Sequence, residues 1–440
     1  MRLLKFQATK VHDYMDFDIS FNTDVSFLIG SNGSGKTTAI KLIKALLSPS
    51  ILDIISISFE YCHLEFERNS KIKTINIQRK NKNEYIMKYD GDECYIVVPE
   101  YLQYREPEKN ESYAMEIEAL SDNTVFNKIR KLPTPIFLGV DRKNGSDNFS
   151  NPLYRDSFIP PRRRNIVKGL LGDALFETQY MIQESYKGIR NLEEKQSGVL
   201  RDSILKSSFK FSSFNPEDLN TNRNWMQANQ LINKKTEINR AISKISSVDS
   251  SLSAEVDSFF NSLENILYEM KNSGDQEGFS LNWLMNQVQI KRISDLVDVI
   301  DSYDKKTQEI YRPVNEFVSI VNKFFDDSNK KITIDPVGRI LVHINSRRQF
   351  YTVDCLSSGE RQLLIIIANV LFNKYSNALR IRKSIIIIDE PELSLHMRWQ
   401  EMFSDIILES SPETQFILAT HSPDIVGDLS SKCKKVRKAI

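Results

Sequence analysis

The run Gly30-Ser31-Asn32-Gly33-Ser34-Gly35-Lys36-Thr37-Thr38 constrains the fold of this chain more than any other feature. It satisfies the pattern G-x-x-x-x-G-K-[ST]. It lies between an apolar stretch, Val25-Ser26-Phe27-Leu28-Ile29, and an apolar-periodic stretch over 39–47. Strand, glycine loop and helix form the setting in which that pattern cradles a phosphate chain. The glycines let backbone N–H groups turn inward around phosphate oxygens, and the helix N-terminus adds a favourable dipole. Asn32, Gly33, Ser34, Gly35 and Thr38 then line the cradle. Lys36 reaches the β- and γ-phosphates, and the Thr37 hydroxyl ligates Mg²⁺. The alternative is a Gly/Ser turn at the head of an ordinary helix; motif and context together favour the phosphate reading.

A second set of residues completes such a site. Ser384-Ile385-Ile386-Ile387-Ile388-Asp389-Glu390-Pro391 is a very apolar strand ending in two acids. A strand apolar throughout belongs in a central parallel sheet. Two adjacent carboxylates at its end are costly to bury without a cation. Asp389 is the candidate Mg²⁺ ligand, directly or through water, and Glu390 the candidate base for an attacking water. Gln415-Phe416-Ile417-Leu418-Ala419-Thr420-His421 is a further buried strand, ending in a histidine that can sense the γ-phosphate or serve structure alone. Leu356-Ser357-Ser358-Gly359-Glu360 precedes an apolar helix over 363–372. Ser357, Ser358 and Gly359 can offer N–H groups and hydroxyls to an anion, though an ordinary N-cap looks the same. More than three hundred positions separate Lys36 from Asp389. The reading therefore requires distant parts of the chain to meet across one triphosphate and its metal.

The remaining pattern is mixed. Strands are expected over 3–9, 15–21 and 24–29, with Asn22-Thr23 as the turn between the last two. Lys10 or Tyr14 could meet the nucleotide base, or serve structure alone. Period-two alternation over 54–98, with Asp90-Gly91 as a hairpin turn, gives an antiparallel β-subdomain. The polar stretch 99–131 has no assignable pattern. Residues 135–140 read as a buried strand ending in Asp141-Arg142, and 144–161 as a linker. Helical stripes follow, as in Leu252, Val256, Phe259, Phe260, Leu263 and Ile266. Heptads are not sustained and Ser/Asn breaks recur, which argues against a long coiled-coil arm. Strands return over 331–335, 339–344 and 350–353. The expected organisation is a head part over 1–155, a helical insertion over 156–330 and a second head part over 331–440.

Composition excludes several classes. Apolar residues make up 40% and charged residues 27%, a globular balance. No apolar run approaches a membrane span, and Met1-Arg2-Leu3-Leu4-Lys5-Phe6 has no leader pattern, so the expected place is the cytoplasm. The four cysteines have no metal-type spacing and are expected to be reduced. The net charge of +1 gives no argument for nucleic acid. The basic runs Arg162-Arg163-Arg164 and Lys432, Lys434, Lys435, Arg437, Lys438 are either solvated charge or contacts to nucleic acid or a partner.

The four motifs in this order resemble ABC-type ATPase heads. Leu356 to Glu360 is similar to the ABC signature, with Ser358 where a glycine is usual. Asp389-Glu390-Pro391-Glu392-Leu393-Ser394-Leu395-His396 and Ala419-Thr420-His421-Ser422-Pro423 resemble the OLD/RecF/SMC-like branch (AAA_15/AAA_21-like). The resemblance implies an α/β ABC-type P-loop ATPase head with an antiparallel β-subdomain and a helical insertion. It implies ATP and Mg²⁺ as cofactors and a homodimer through the ATP sites, extending to higher oligomers. In that dimer Ser357 and Gly359 of one copy meet the γ-phosphate of the other, and His396 lines the seam. OLD-family proteins carry a TOPRIM nuclease after the ATPase; with few residues after His421, none is expected here. The layout most resembles the ATPase subunit of the PARIS anti-phage system, and next that of Septu. That implies a separately encoded nuclease effector and a phage-encoded trigger protein. The other reading is a RecF/SMC-like DNA-repair ATPase that binds DNA directly.

Overall fold

The computed structural model describes residues 1–99, 123–139, 170–208, 232–233, 235–236, 250–272, 281–344, 349–376 and 385–436. Asp141-Arg142, the linker 144–161, Arg162-Arg163-Arg164, Arg437 and Lys438 lie outside them. The chain divides into two compact units, one of Met1–Ser185 with Pro313–Ile440, the other Tyr186–Arg312.

Alternation builds the first strands. β1 (Arg2–Val11) and β2 (Met15–Ser20) pair antiparallel, and Met15, Phe17 and Ile19 of β2 face inward. Asn22-Thr23 is not the hairpin turn expected between β2 and β3 (Val25–Ile29); the chain crosses there into a second sheet. The crossing is possible because Asn22 satisfies the freed backbone groups. Its Nδ2 donates to the Val25 carbonyl at 2.9 Å, and its N–H donates to Ser26 Oγ at 2.7 Å. α1 (Lys36–Leu47) follows the glycine loop. The alternation expected from residue 54 begins later, because α2 (Ile51–Ile55) buries Ile51 and Ile54 at helical spacing. β4 (Tyr61–Arg68), β5 (Lys71–Arg79), β6 (Glu84–Tyr89) and β7 (Asp92–Val97) complete a six-stranded sheet of order β2-β1-β4-β5-β6-β7. Asp90 (φ 56°) and Gly91 (φ 85°) are both left-handed, as a two-residue hairpin turn between β6 and β7 requires. α3 (Thr124–Arg130) occupies part of the stretch without a pattern, capped where Phe126 N–H donates to Asn123 Oδ1 at 2.9 Å. β8 (Ile136–Leu138) follows it.

The second unit is helical and corrects one expectation. α4 (Leu170–Ser208) has 39 residues, α5 (Ser250–Asn272) has 23 and α6 (Leu281–Phe325) has 45, so two helices are long despite the broken heptads. Ser197 Oγ lies 3.1 Å from Tyr303 Oη, and Tyr311 Oη donates to Glu193 at 2.6 Å. Numbers fall along α4 as they rise along α6, so the two run antiparallel here. Leu200, Ile300 and Tyr303 form the buried cluster between them. A Ser or Asn on an outer helical position costs at most several tenths of a kcal/mol, about 0.7 or less, and does not end a helix whose inner stripe is covered. The unit boundary falls at Pro313, which cannot donate to the carbonyl one turn back.

The first unit resumes with β9 (Lys330–Ile334), β10 (Ile340–Ile344) and β11 (Phe350–Tyr351), a small antiparallel sheet. Then come α7 (Ser358–Ser376), β12 (Ile385–Asp389), α8 (Met397–Ser410), β13 (Gln415–Ala419), α9 (Pro423–Val426) and β14 (Cys433–Lys435). A parallel sheet runs in the order β14-β3-β13-β12-β8. Ile385 to Ile388 are all buried, each contributing about 1.5–3 kcal/mol as an upper estimate. Gln415, buried in β13, joins the sheets. Its Oε1 accepts from Leu3 N–H at 2.7 Å, and its Nε2 donates to the Leu3 and Asn22 carbonyls at 2.8 and 2.7 Å. The fold is mixed α/β, an antiparallel sheet and a parallel sheet with helices, the class expected from the sequence.

Candidate functional site

The C-terminal ends of β3, β13 and β12, three neighbours in the parallel sheet, bring the motifs together. Ligands bind at that end of open parallel sheets. After β3, Gly33 (φ 77°) and Gly35 (φ 92°) take left-handed backbone. Gly35 has a second constraint: a Cβ there would lie 2.8 Å from Phe17 Cζ and 3.1 Å from Met15 Sδ. The inner face of β2 therefore presses on the loop, whereas Tyr14 is 68% exposed and Lys10 pairs with Glu60 at 2.7 Å. α1 begins at Lys36 with no side-chain cap and no acid in its first turn. Its leading N–H groups thus face the loop as an anion site.

Lys36 is buried, and its ammonium turns back over the loop. Nζ donates to the Gly30 carbonyl at 3.0 Å and to His421 Nε2 at 2.7 Å, a residue 385 positions away. Lysine has only donors, so the ring nitrogen accepts. Burial pushes the Lys36 pKa down, opposed by Glu390, Asp389 and Glu392. Asp389, at the end of β12, shifts the other way: burial raises its pKa, opposed by a hydrogen bond from Thr37 and by the Lys36 charge. Glu390 is half-buried at φ 48°, its N–H donating to the Ala419 carbonyl at 2.8 Å.

Two buried atoms test whether a nucleotide and a metal fit. Ser34 Oγ and Asp389 Oδ1 have no hydrogen-bond partner among the described residues. Such atoms are rare in folded proteins, and a buried carboxylate oxygen is the costlier kind. A phosphate chain beside Ser34 and a cation beside Asp389 would satisfy both. Among the described residues no group of three or more His, Cys, Asp or Glu forms a metal cage. Mg²⁺ needs none when a carboxylate, a hydroxyl and phosphate oxygens share it. The residues present therefore fit ATP with Mg²⁺.

Lys36, Thr37, Asp389 and His421 thus converge, with Glu390 next to Asp389. Asn32 and Gly33 are exposed on the loop, and Thr38 is half-buried in the first turn of α1. Ser357, Ser358 and Gly359 stand at the start of α7. The two serines are exposed, while Gly359 is buried where a Cβ would overlap the Ser394 carbonyl oxygen. His396 is exposed and caps α8. Sequence reasoning missed Glu392. Its Oε2 accepts from Thr420 Oγ1 at 2.8 Å and its Oε1 from His421 N–H at 2.6 Å, fixing the histidine loop to the turn after β12. The only sequence signal was a third acid close behind Asp389 and Glu390.

The family model described as AAA ATPase domain matches residues 12–426. A retron Vc95 probable ATPase of Vibrio cholerae is 24% identical over 193 residues, covering 41% of this chain and 37% of that protein. A retron Ec83 probable ATPase of Escherichia coli is 30% identical over 110 residues, covering 24% of this chain and 20% of that protein. The chain thus spans well under half the length of these relatives. Among solved structures, an Smc head domain with an extended coiled coil from Pyrococcus furiosus aligns at a TM-score of 0.40 and 13% identity, covering 97% of this chain and 91% of that one. An SMC head domain from Thermotoga maritima aligns at 0.38 and 13%, covering 97% and 93%. Among the described residues no helix is long and apolar enough to cross a membrane.

Proposed function

Because the chain belongs to the AAA ATPase domain family AAA_15, we propose that it binds and hydrolyses ATP as the scaffold and sensor subunit of a bacterial anti-phage defence complex. In that complex it holds and controls a separately encoded nuclease, and a phage-encoded protein is the trigger. The supporting observation is the convergence of Lys36, Thr37, Asp389 and His421, with Ser34 Oγ and Asp389 Oδ1 buried beside them and without a hydrogen-bond partner among the described residues. The motif resemblance to anti-phage ATPase subunits and the likeness to two retron probable ATPases support the defence role.

On this reading Lys36 exchanges His421 for the β- and γ-phosphate oxygens, and the loop N–H groups hold the rest of the chain. Thr37 and Asp389 would hold Mg²⁺, which would supply positive charge against the phosphates. Glu390 orients and deprotonates the attacking water, and His421 reports the γ-phosphate. The exposed Ser357 and Ser358, with Gly359, meet the nucleotide of a second copy across a seam that includes His396. Nucleotide then joins two copies, and its hydrolysis loosens them.

Two variants test the reading. Lys36→Ala removes a charge-assisted contact of roughly 1.5–3 kcal/mol, so a fluorescent ATP analogue should bind about ten- to a hundredfold more weakly. Glu390→Gln should bind the analogue normally and turn over roughly 10²–10⁴-fold more slowly. Wild-type turnover in the Glu390 variant removes the base assignment. Purification beside the products of neighbouring genes should recover a nuclease. DNA-stimulated hydrolysis with no protein partner would favour the DNA-repair reading instead.

A further inference from the structure

We propose that Lys330 is a positioning residue that sets the Ser357–Gly359 turn, so that the end of α6 governs how one copy engages the nucleotide of another. The inference rests on the role in trans proposed above for that turn. Glu360 is only 3% exposed. Its Oε2 accepts from Ser357 N–H at 2.7 Å, while Glu360 N–H donates to Ser357 Oγ at 3.3 Å. This reciprocal pair locks the first turn of α7 and the serine before it. The same Oε2 accepts from Lys330 Nζ at 2.8 Å, and Nζ also reaches the Cys355 carbonyl at 3.4 Å. Burial raises the Glu360 pKa, but Lys330 and the Ser357 N–H outweigh it and hold the carboxyl below its ordinary value.

Lys330 is not an arbitrary counter-ion. It opens β9, directly after the short turn Asp326–Ser328 that ends α6. That end is itself fixed: Phe325 stacks on Trp399 at 6.2 Å, Phe324 meets the same ring edge-on, and Arg398 pairs with Asp327 at 2.6 Å. On its other side the turn abuts the loop after β12, where Gly359 lies against Ser394 and Gln362 donates to the Pro391 carbonyl at 3.4 Å. A displacement of the end of α6 therefore moves Lys330, and with it the carboxylate that orients Ser357. Misplacing a contacting group by about 1 Å can cost on the order of a hundredfold in rate.

Lys330→Met, Lys330→Arg and the double variant Lys330→Met/Glu360→Met separate positioning from simple stability. Fluorescent ATP binding to the phosphate loop should be unchanged in all three. Lys330→Met should lose ATP-dependent self-association and about a hundredfold in kcat. Lys330→Arg should recover much of both. The double variant, free of a lone buried charge, should regain thermal stability but not self-association. If Lys330→Met self-associates and turns over like the wild type, or if the double variant recovers activity along with stability, Lys330 has no positioning role. A wild-type chain that binds ATP without self-associating overturns this inference and the trans site together, leaving the nucleotide site itself intact.

Discussion

Asp389 carries a cost in stability that its proposed metal-binding role would explain. Its carboxylate is buried, its pKa is raised chiefly by that burial, and one of its oxygens has no hydrogen-bond partner among the described residues. Asp389→Asn removes a charge that the folded chain holds at a cost. Without nucleotide this variant should melt at or above the wild-type temperature. With Mg²⁺ and ATP the wild type should gain about 2.7 kcal/mol at a hundredfold excess over Kd, and the variant should gain far less. Differential scanning fluorimetry with and without ligand reads both. A variant that melts lower without nucleotide, yet keeps the full ligand shift, would show Asp389 to be structural. At this scale the sequence revealed the groups whose chemistry is local. Lys36, Thr37 and Asp389 announce themselves by motif. Lys330 and Glu392 do not, because a lysine opening a strand and a glutamate in a turn acquire meaning only from partners 30 and 28 positions away.

Among the elements, those with a single dominant pattern were legible. The isoleucine run of β12, the glycine loop between β3 and α1, and the Asp90-Gly91 turn each allow one local solution. The lengths of α4 and α6 were not legible, because continuity across polar breaks depends on a covering helix that no local window contains. The destination of β3 was equally hidden, since Asn22 and its hydrogen bonds decide it. The contact between the end of α6 and α8 gives an element-scale prediction. Trp399 is buried against Phe324 and Phe325. Trp399→Ala should destabilise the chain by about 3–5 kcal/mol, while Trp399→Phe should cost less. Denaturant unfolding measures both; equal midpoints for the alanine variant and the wild type would mean that this packing adds nothing.

For the molecule as a whole, the parallel sheet interleaves distant parts of the chain. β3 lies between β13 and β14, and β8 pairs with β12. Expressed separately, residues 1–240 and 241–440 should each be insoluble, because each holds only some of the strands. Co-expressed, they should copurify and bind ATP, since the cut divides none of the described strands. Soluble, folded single halves would contradict this strand order. The same interleaving bears on synthesis. At about 5–20 residues per second, the ribosome makes β3 roughly 20–80 seconds before β14 exists to flank it. For nearly all that time a growing polypeptide carries the glycine loop without β13, the strand that flanks β3 on its other side. Prematurely terminated products would therefore be unable to hold nucleotide.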